Sequence, residues 1–304
     1  MSAELMELSN ALAQATETSA AFAVAVHSEA RGSASGVIWR TGVIVTAEHA
    51  LRRDEDVHVT LPDGRVVPAT LKGRDPSTDL AVLECPDAGS AIAKAGDASR
   101  LRPGSLTLVV GRTRVSGPVA TLGVVSLLTA ERRTWSGASL SPYIRLDLSL
   151  QPSASGGAVV DASGQIVGIA TPRFARFGTV AIPAAMVTTV VDTLLLKGRI
   201  PRGYLGVGLQ PIRLPEALRQ SLQRQEKTAA IILEVEPDGP GHTAGLLMGD
   251  ILLEIAGAPV AHLENIQAQL HGENIGKSVP LKIARGGAIQ QLTLLVGERL
   301  QGGN

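Results

Sequence analysis

The sequence predicts a mainly β protein in two units, and three observations carry that expectation. Short apolar runs rich in Val, Ile and Leu alternate with turn residues from Phe22 to Ala170. The dipeptides Asp63-Gly64 and Ser163-Gly164 sit between such runs as tight turns. The rhythm then breaks at Ile182–Leu196 and is followed by the linker-like stretch Lys197–Gly203. With 304 residues and roughly 150 per domain, about two domains are expected. The boundaries read as an N-terminal extension over 1–18, a first domain over 19–198 and a second over 199–300.

In chain order, Leu5, Leu8 and Leu12 recur at helical spacing and predict an amphipathic helix over 3–17. Strands follow at Phe22–Val26, Gly36–Trp39, Val43–Thr46, Val57–Leu61, Val66–Leu71 and Leu80–Glu84. They continue at Leu106–Gly111, Ala120–Leu128, Ile144–Leu148, Ala158–Val160 and Ile166–Ala170. Strands at this spacing favour an antiparallel barrel or sandwich over alternating β and α units. Ile182–Leu196 reads as a helix opened by Pro183. In the second unit, Ile231–Glu236 is a strand, and Pro215–Gln223 and Leu263–Leu270 are helical.

Composition narrows the function classes. Lysine plus arginine total 28, as do aspartate plus glutamate, which argues against a nucleic-acid binder that neutralises phosphates over a broad basic surface. Seven aromatic residues are too few for a base-stacking platform. Cys85 is the single cysteine, which rules out an intrachain disulfide or a cysteine-rich zinc site. No HExxH spacing and no GxxxxGK[ST] loop is present, so neither a metal nor another cofactor nor ATP is expected. His27, His58, His242, His262 and His271 read as surface or satisfied residues. No apolar run is long enough to span a bilayer. The N-terminus carries acidic residues where an export signal would be basic, so the chain is expected to be cytoplasmic, with the cell envelope as the alternative for a processed form.

Nucleophilic hydrolysis needs a hydroxyl, a base to take its proton and an acid that holds the base in one tautomer. Three segments supply them. Val45–Ala50 places His49 just after an apolar strand, Asp75–Leu83 places Asp79 at the mouth of a buried one, and Pro152–Ala158 places Ser155 in a small-residue turn. Each segment alone also fits a structural reading: a packed histidine, a strand-start cap, a plain turn. The His-Asp-Ser order differs from subtilisin and α/β-hydrolase orders and leaves the chymotrypsin arrangement.

With these residues in view, the sequence resembles the HtrA family of trypsin-like serine proteases carrying a C-terminal PDZ domain, from about Ala20 to Val296. Ser35-Gly36-Val37-Ile38 and Ile44–His49 stand where the family has its histidine segment. Thr78–Leu83 matches the aspartate segment, and Ser153–Val160 stands where the family has Gly-Asn-Ser-Gly-Gly-Pro-Leu-Val. The resemblance implies a chymotrypsin-like double six-stranded β-barrel followed by an α+β PDZ domain. It also implies His49, Asp79 and Ser155 as the triad, and backbone N–H groups of Ser153 and Ser155 as the oxyanion hole. Ser149, six residues before the nucleophile, is placed at the primary pocket and predicts cleavage after small or medium apolar residues.

Tyr204-Leu205-Gly206-Val207 matches the carboxylate-binding loop of a PDZ domain. Leu205, Gly206 and Val207 would offer N–H groups to a peptide C-terminus, and Ile266 and Leu270 would line the side-chain pocket. Ordinary core packing is the other reading of Ile266 and Leu270. The function implied is ATP-independent endoproteolysis of unfolded or exposed polypeptide in protein quality control, in a homotrimer, with peptide C-termini recruiting or regulating at the PDZ domain. The alternative is a weakly active or inactive protease-fold protein that binds peptides or acts as a chaperone.

Two departures from the family pattern bear on activity. Ser153 replaces a glycine, and a non-glycine residue held at positive φ costs about 1–3 kcal/mol. That favours a collapsed oxyanion loop at rest in one reading and harmless drift in the other. Glu48, directly before His49, reads as solvated, the other reading being a carboxylate that faces the site and raises the histidine's basicity.

Overall fold

The computed structural model describes residues 3–27, 33–51, 56–133, 139–222, 224–261, 265–266, 269–270 and 272–298. The chain divides into two compact units, Met1–Ile200 and Pro201–Asn304.

The first unit opens with helix α1 (Ala3–Ala20). It continues through β1 (Ala23–His27), β2 (Ser33–Arg40), β3 (Val43–Ala47), β4 (Val57–Thr60), β5 (Val66–Asp75) and β6 (Leu80–Glu84). These six close into an antiparallel barrel in the order β1-β2-β3-β6-β5-β4. After β7 (Leu106–Thr113) and β8 (Gly117–Thr129), the short β9 (Arg132–Arg133) and β10 (Ser139–Leu140) pair with each other. β11 (Tyr143–Leu146), β12 (Ala158–Asp161), β13 (Ile166–Thr171) and β14 (Thr179–Pro183) complete a second closed barrel, ordered β11-β14-β13-β12-β7-β8. Helix α2 (Ala184–Lys197) follows directly.

The apolar runs read from sequence are strands because their side chains fill these barrels. Ile44, Val45, Leu80, Val82 and Leu83 are fully buried in the first, and Val109, Ile144, Leu146, Val159 and Val167 in the second. Closure leaves neither sheet an open edge to aggregate. Val187, Val190, Val191 and Leu194 bury one face of α2 in the first core. The sequence placed a helix from Ile182 and no strand before it. In fact Thr179–Pro183 is a fully buried strand running straight into the helix at Ala184, so no polar turn marks the switch.

The second unit has β15 (Gly203–Tyr204), β16 (Val207–Arg213), α3 (Glu216–Ser221), β17 (Thr228–Val235) and α4 (Pro240–Thr243). Then come β18 (Ile251–Ile255), β19 (Ala258–Pro259), β20 (Ser278–Arg285), β21 (Ala288–Leu295) and β22 (Gly297–Glu298). The main sheet runs β16-β17-β18-β20-β21, which makes β16 an edge strand. Leu205, Ile232, Leu252, Ile255, Leu281, Ile283 and Leu294 form its core. Half of the helix expected over 263–270 lies outside the described residues; Asn265 and Ile266 are helical, and Gln269 and Leu270 are not. Among the described residues, no helix is long and apolar enough to cross a membrane.

Candidate active site

His49 sits in a single 3-10 turn, Glu48–Ala50, at the end of β3. Asp79 precedes β6, and the loop before it is built by Asp75. The Asp75 carboxylate accepts from the Ser77 N–H and hydroxyl and from the Thr78 hydroxyl. That knot delivers Asp79 with φ +58, a left-handed conformation that aspartate tolerates better than most residues. β3 and β6 are neighbours, with Ala47 opposite Leu80, so the two side chains meet.

His49 Nδ1 lies 2.8 Å from Asp79 Oδ2 and 2.9 Å from Oδ1, and the His49 backbone N–H donates to Oδ1 at 3.0 Å. Because both oxygens at Nδ1 are carboxylate acceptors, the ring proton belongs on Nδ1 and Nε2 is left as the acceptor. Nε2 is 3.2 Å from Ser155 Oγ. The Asp79 side chain is wholly buried, while His49 retains partial access to solvent. Water is thus kept from the carboxylate and not from the base.

Two residues on the second barrel, neither of them visible as functional in the sequence, complete this arrangement. Thr171, the last residue of β13, donates its hydroxyl to Asp79 Oδ2 at 2.5 Å. Arg173 reaches to 3.8 Å from Oδ1 and donates its backbone N–H to Thr171 Oγ1. The expectation for Glu48 needs correction: its carboxylate is largely buried, 3.3 Å from Arg74 and 3.9 Å from Arg173. A buried carboxylate takes partners, and both arginines come from segments distant in sequence.

Ser155 follows the 3-10 turn Pro152–Ala154. Gly156 has φ +80, and a Cβ there would lie 2.4 Å from the Ser35 carbonyl oxygen and 2.6 Å from the Ala47 nitrogen. Only glycine lets the Ser155 turn approach the first barrel this closely. Ser155 N–H donates to the Pro152 carbonyl at 3.2 Å, and Ala154 N–H to the Gln151 carbonyl at 2.9 Å. The Ser155 donor expected in the oxyanion hole is therefore already engaged, and Ser153 is not among the positive-φ residues. Ser149 is exposed, between β11 and this turn.

In the second unit, Leu205 is buried and Gly206 has φ +66 at the start of edge strand β16. Its fold is pinned by the Gly206 and Leu205 carbonyls, which accept from the Glu236 and Gly241 N–H groups. Ile266 is buried in the unit's core, Leu270 and Val207 pack against it part-buried, and the Leu270 carbonyl accepts from Gly203 N–H.

The trypsin-like peptidase domain family matches residues 34–169, and the PDZ domain family matches residues 203–296. The fold compares with an HtrA-type protease, AlgW, bound to a decapeptide at TM-score 0.78 and 26% identity, covering 95% of this chain and 99% of that one. The chain belongs to the HtrA family. A serine endoprotease from Yersinia pestis superposes at TM-score 0.75 with 28% identity, over 94% of this chain and 97% of that one. Among curated HtrA relatives, a probable periplasmic serine endoprotease DegP-like of Marinomonas sp. is 32% identical over 86% of this chain and 56% of its own length. Its counterpart in Halomonas elongata is 32% identical over 90% of this chain and 58% of its own. The chain thus spans somewhat more than half of these relatives. The periplasmic location in their names overturns the cytoplasmic expectation: acidic charge among the first residues does not decide the compartment.

Proposed function

We propose that this chain is a serine endopeptidase that cleaves extended, unfolded or exposed polypeptide without ATP, in the periplasm as its relatives' names have it. The observation that carries the proposal is the line Ser155 Oγ–His49 Nε2, 3.2 Å, continued from His49 Nδ1 to Asp79 at 2.8 Å. Ser155 attacks the scissile carbonyl while His49 takes its proton at Nε2. The imidazolium so formed is stabilised by the buried Asp79 and returns the proton to the leaving amine. The tetrahedral oxyanion requires the N–H groups of Ser155 and Ser153, so the Pro152–Ala154 turn must first release Ser155 N–H. The enzyme is latent in this resting geometry.

The uncharged Ser149 sets a preference for small or medium apolar residues before the cut. A peptide-library digest dominated by cleavage after arginine would refute that. The PDZ unit takes peptide C-termini by strand addition to β16: the carboxylate is held at Leu205, Gly206 and Val207, and the last side chain lies beside Ile266 and Leu270. Edge position, the left-handed Gly206 and the peptide-bound HtrA structure support this reading. The chain assembles as a homotrimer through α1 and the first strand; Leu5, Met6 and Leu8 on α1 are exposed and apolar. Light scattering that returns a monomer at micromolar concentration would remove the trimer.

The direct test is covalent labelling with a fluorophosphonate, read by intact mass, on the native chain and on Ser155→Ala. Labelling of the native chain alone establishes an activated hydroxyl at Ser155. Absence of labelling, even with C-terminal peptides added, refutes the peptidase.

A further inference from the structure

Ser35 lies on β2, in the opposite barrel from the Ser155 turn, and is completely buried. Every polar atom it has is used at that junction. Its N–H donates to the Ser155 carbonyl at 2.8 Å, and its carbonyl accepts from the Thr46 hydroxyl at 2.7 Å. Its Oγ accepts from Arg112 N–H at 2.9 Å and donates to the Ser153 carbonyl at 2.6 Å. A hydroxyl has one proton, and the 3.4 Å distance to the Arg112 carbonyl is the weaker claim on it. The proton is committed to Ser153.

The consequence follows peptide by peptide. The Ser153–Ala154 group is held at both ends, its carbonyl by Ser35 Oγ and its N–H by the Gln151 carbonyl. The Ser155–Gly156 group is likewise held, its carbonyl by Ser35 N–H and its N–H by the Ala170 carbonyl. Between Gln151 and the nucleophile, the Pro152–Ser153 group differs: its carbonyl is held by Ser155 N–H, in the longest of these backbone contacts at 3.2 Å. In a trans peptide the C=O and the following N–H point in opposite directions. Turning that one group over removes the Pro152 oxygen from Ser155 N–H and brings Ser153 N–H to the same side.

We propose that Ser35 is a positioning residue for the oxyanion site: its hydroxyl pins the Ser153–Ala154 peptide, so that the site assembles by rotation of the single Pro152–Ser153 peptide. This rests on Ser155 being the nucleophile. Without the pin, both peptides turn, and the competent arrangement becomes one of several. The same contact explains Gly111, where a Cβ would fall 2.2 Å from Ser35 Oγ.

The test is Ser35→Ala in the full chain, with two readouts. Hydrolysis of a peptide substrate is expected to show kcat lowered roughly tenfold with KM within about twofold of native, and fluorophosphonate labelling slowed in parallel. Amide hydrogen exchange, followed by NMR in both proteins, is expected to quicken at Ala154 by at least about tenfold while neighbouring β2 and β12 amides keep their rates. Native kcat with native exchange at Ala154 overturns the proposal. So does exchange that quickens uniformly across β2 and β12, which marks Ser35 as a packing residue only. If the native chain itself does not label, the nucleophile reading fails, and the exchange comparison still decides whether the hydroxyl pins the turn.

Discussion

The two barrels bring unequal halves to the candidate site. The first contributes His49 and Asp79 on adjacent strands, with both carboxylate oxygens engaged and the imidazole fixed in one tautomer. The second contributes Ser155 on a turn whose hydroxyl makes a single 3.2 Å contact to the base and whose N–H is spent on Pro152. Side chains anchored on packed strands have one arrangement, since moving them would break the core. A peptide group in a turn has two, because turning it over breaks only the 3.2 Å contact from Ser155 N–H to the Pro152 carbonyl and disturbs no core packing. The His49–Asp79 half is therefore fixed by packing, and on the proposed function the Ser155 half, which would stabilise the oxyanion, is left to be switched.

Four variants break or sharpen that contrast. The largest effect belongs to Asp79→Asn, which preserves shape but forces the wrong imidazole tautomer; kcat on a peptide substrate should fall about 10⁴-fold. A fall smaller than tenfold would mean that the first barrel is not the preorganised half. Thr171→Val removes a hydroxyl donated to a buried carboxylate, a contact worth about 1.5–3 kcal/mol. That should lower kcat/KM roughly ten- to a hundredfold with little change in fold; native kinetics would reduce Thr171 to a core residue.

Ser153→Gly acts on the other half and in the opposite direction. Rotation of the Pro152–Ser153 peptide moves φ of residue 153, and if the working form lies at positive φ, glycine removes a penalty of about 1–3 kcal/mol. Turnover should rise roughly tenfold. Unchanged or lower turnover would show that Ser153 does not hold the turn at rest.

The smallest effect is on stability and lies away from the site. His27 is buried at the β1–β4 seam, its Nε2 3.1 Å from the Thr60 hydroxyl and its ring stacked on His58. Burial first, then the charges of Arg114 and His58, hold its pKa below the ordinary 6.5. The unfolded chain therefore takes up the proton first as pH falls, so this contribution is full above about pH 6.5 and declines below it. The thermal midpoint should be lower at about pH 5.5 than at about pH 7.5, and His27→Gln should weaken that dependence. An identical pH dependence in the variant would refute the assignment.

Much of this was legible in the sequence because period and order are local properties. Leu80–Glu84 is a strand with the bounds its apolar run suggests, and Val43, Val57 and Leu106 begin strands where the pattern places them. The N-terminal helix extends three residues beyond the expected end at 17, to Ala20. β14 was missed because a fully buried strand ending at a proline that also opens a helix carries no turn signal. Glu48 was misjudged because charge beside a histidine says nothing of Arg74 and Arg173, which reach it only after the chain folds.

By itself the sequence determined the strand rhythm, the His-Asp-Ser order and the small-residue turn that carries Ser155. Hydrophobic period and residue order act through neighbours in the chain, and no folding is needed to read them. Only the tertiary structure decided that Thr171 would hold Asp79, that Ser35 would grip the Ser153 carbonyl, and that Pro152 would occupy the Ser155 N–H. Those contacts join residues that meet only when the barrels close, and the last depends on the orientation of one peptide group, which no residue type specifies.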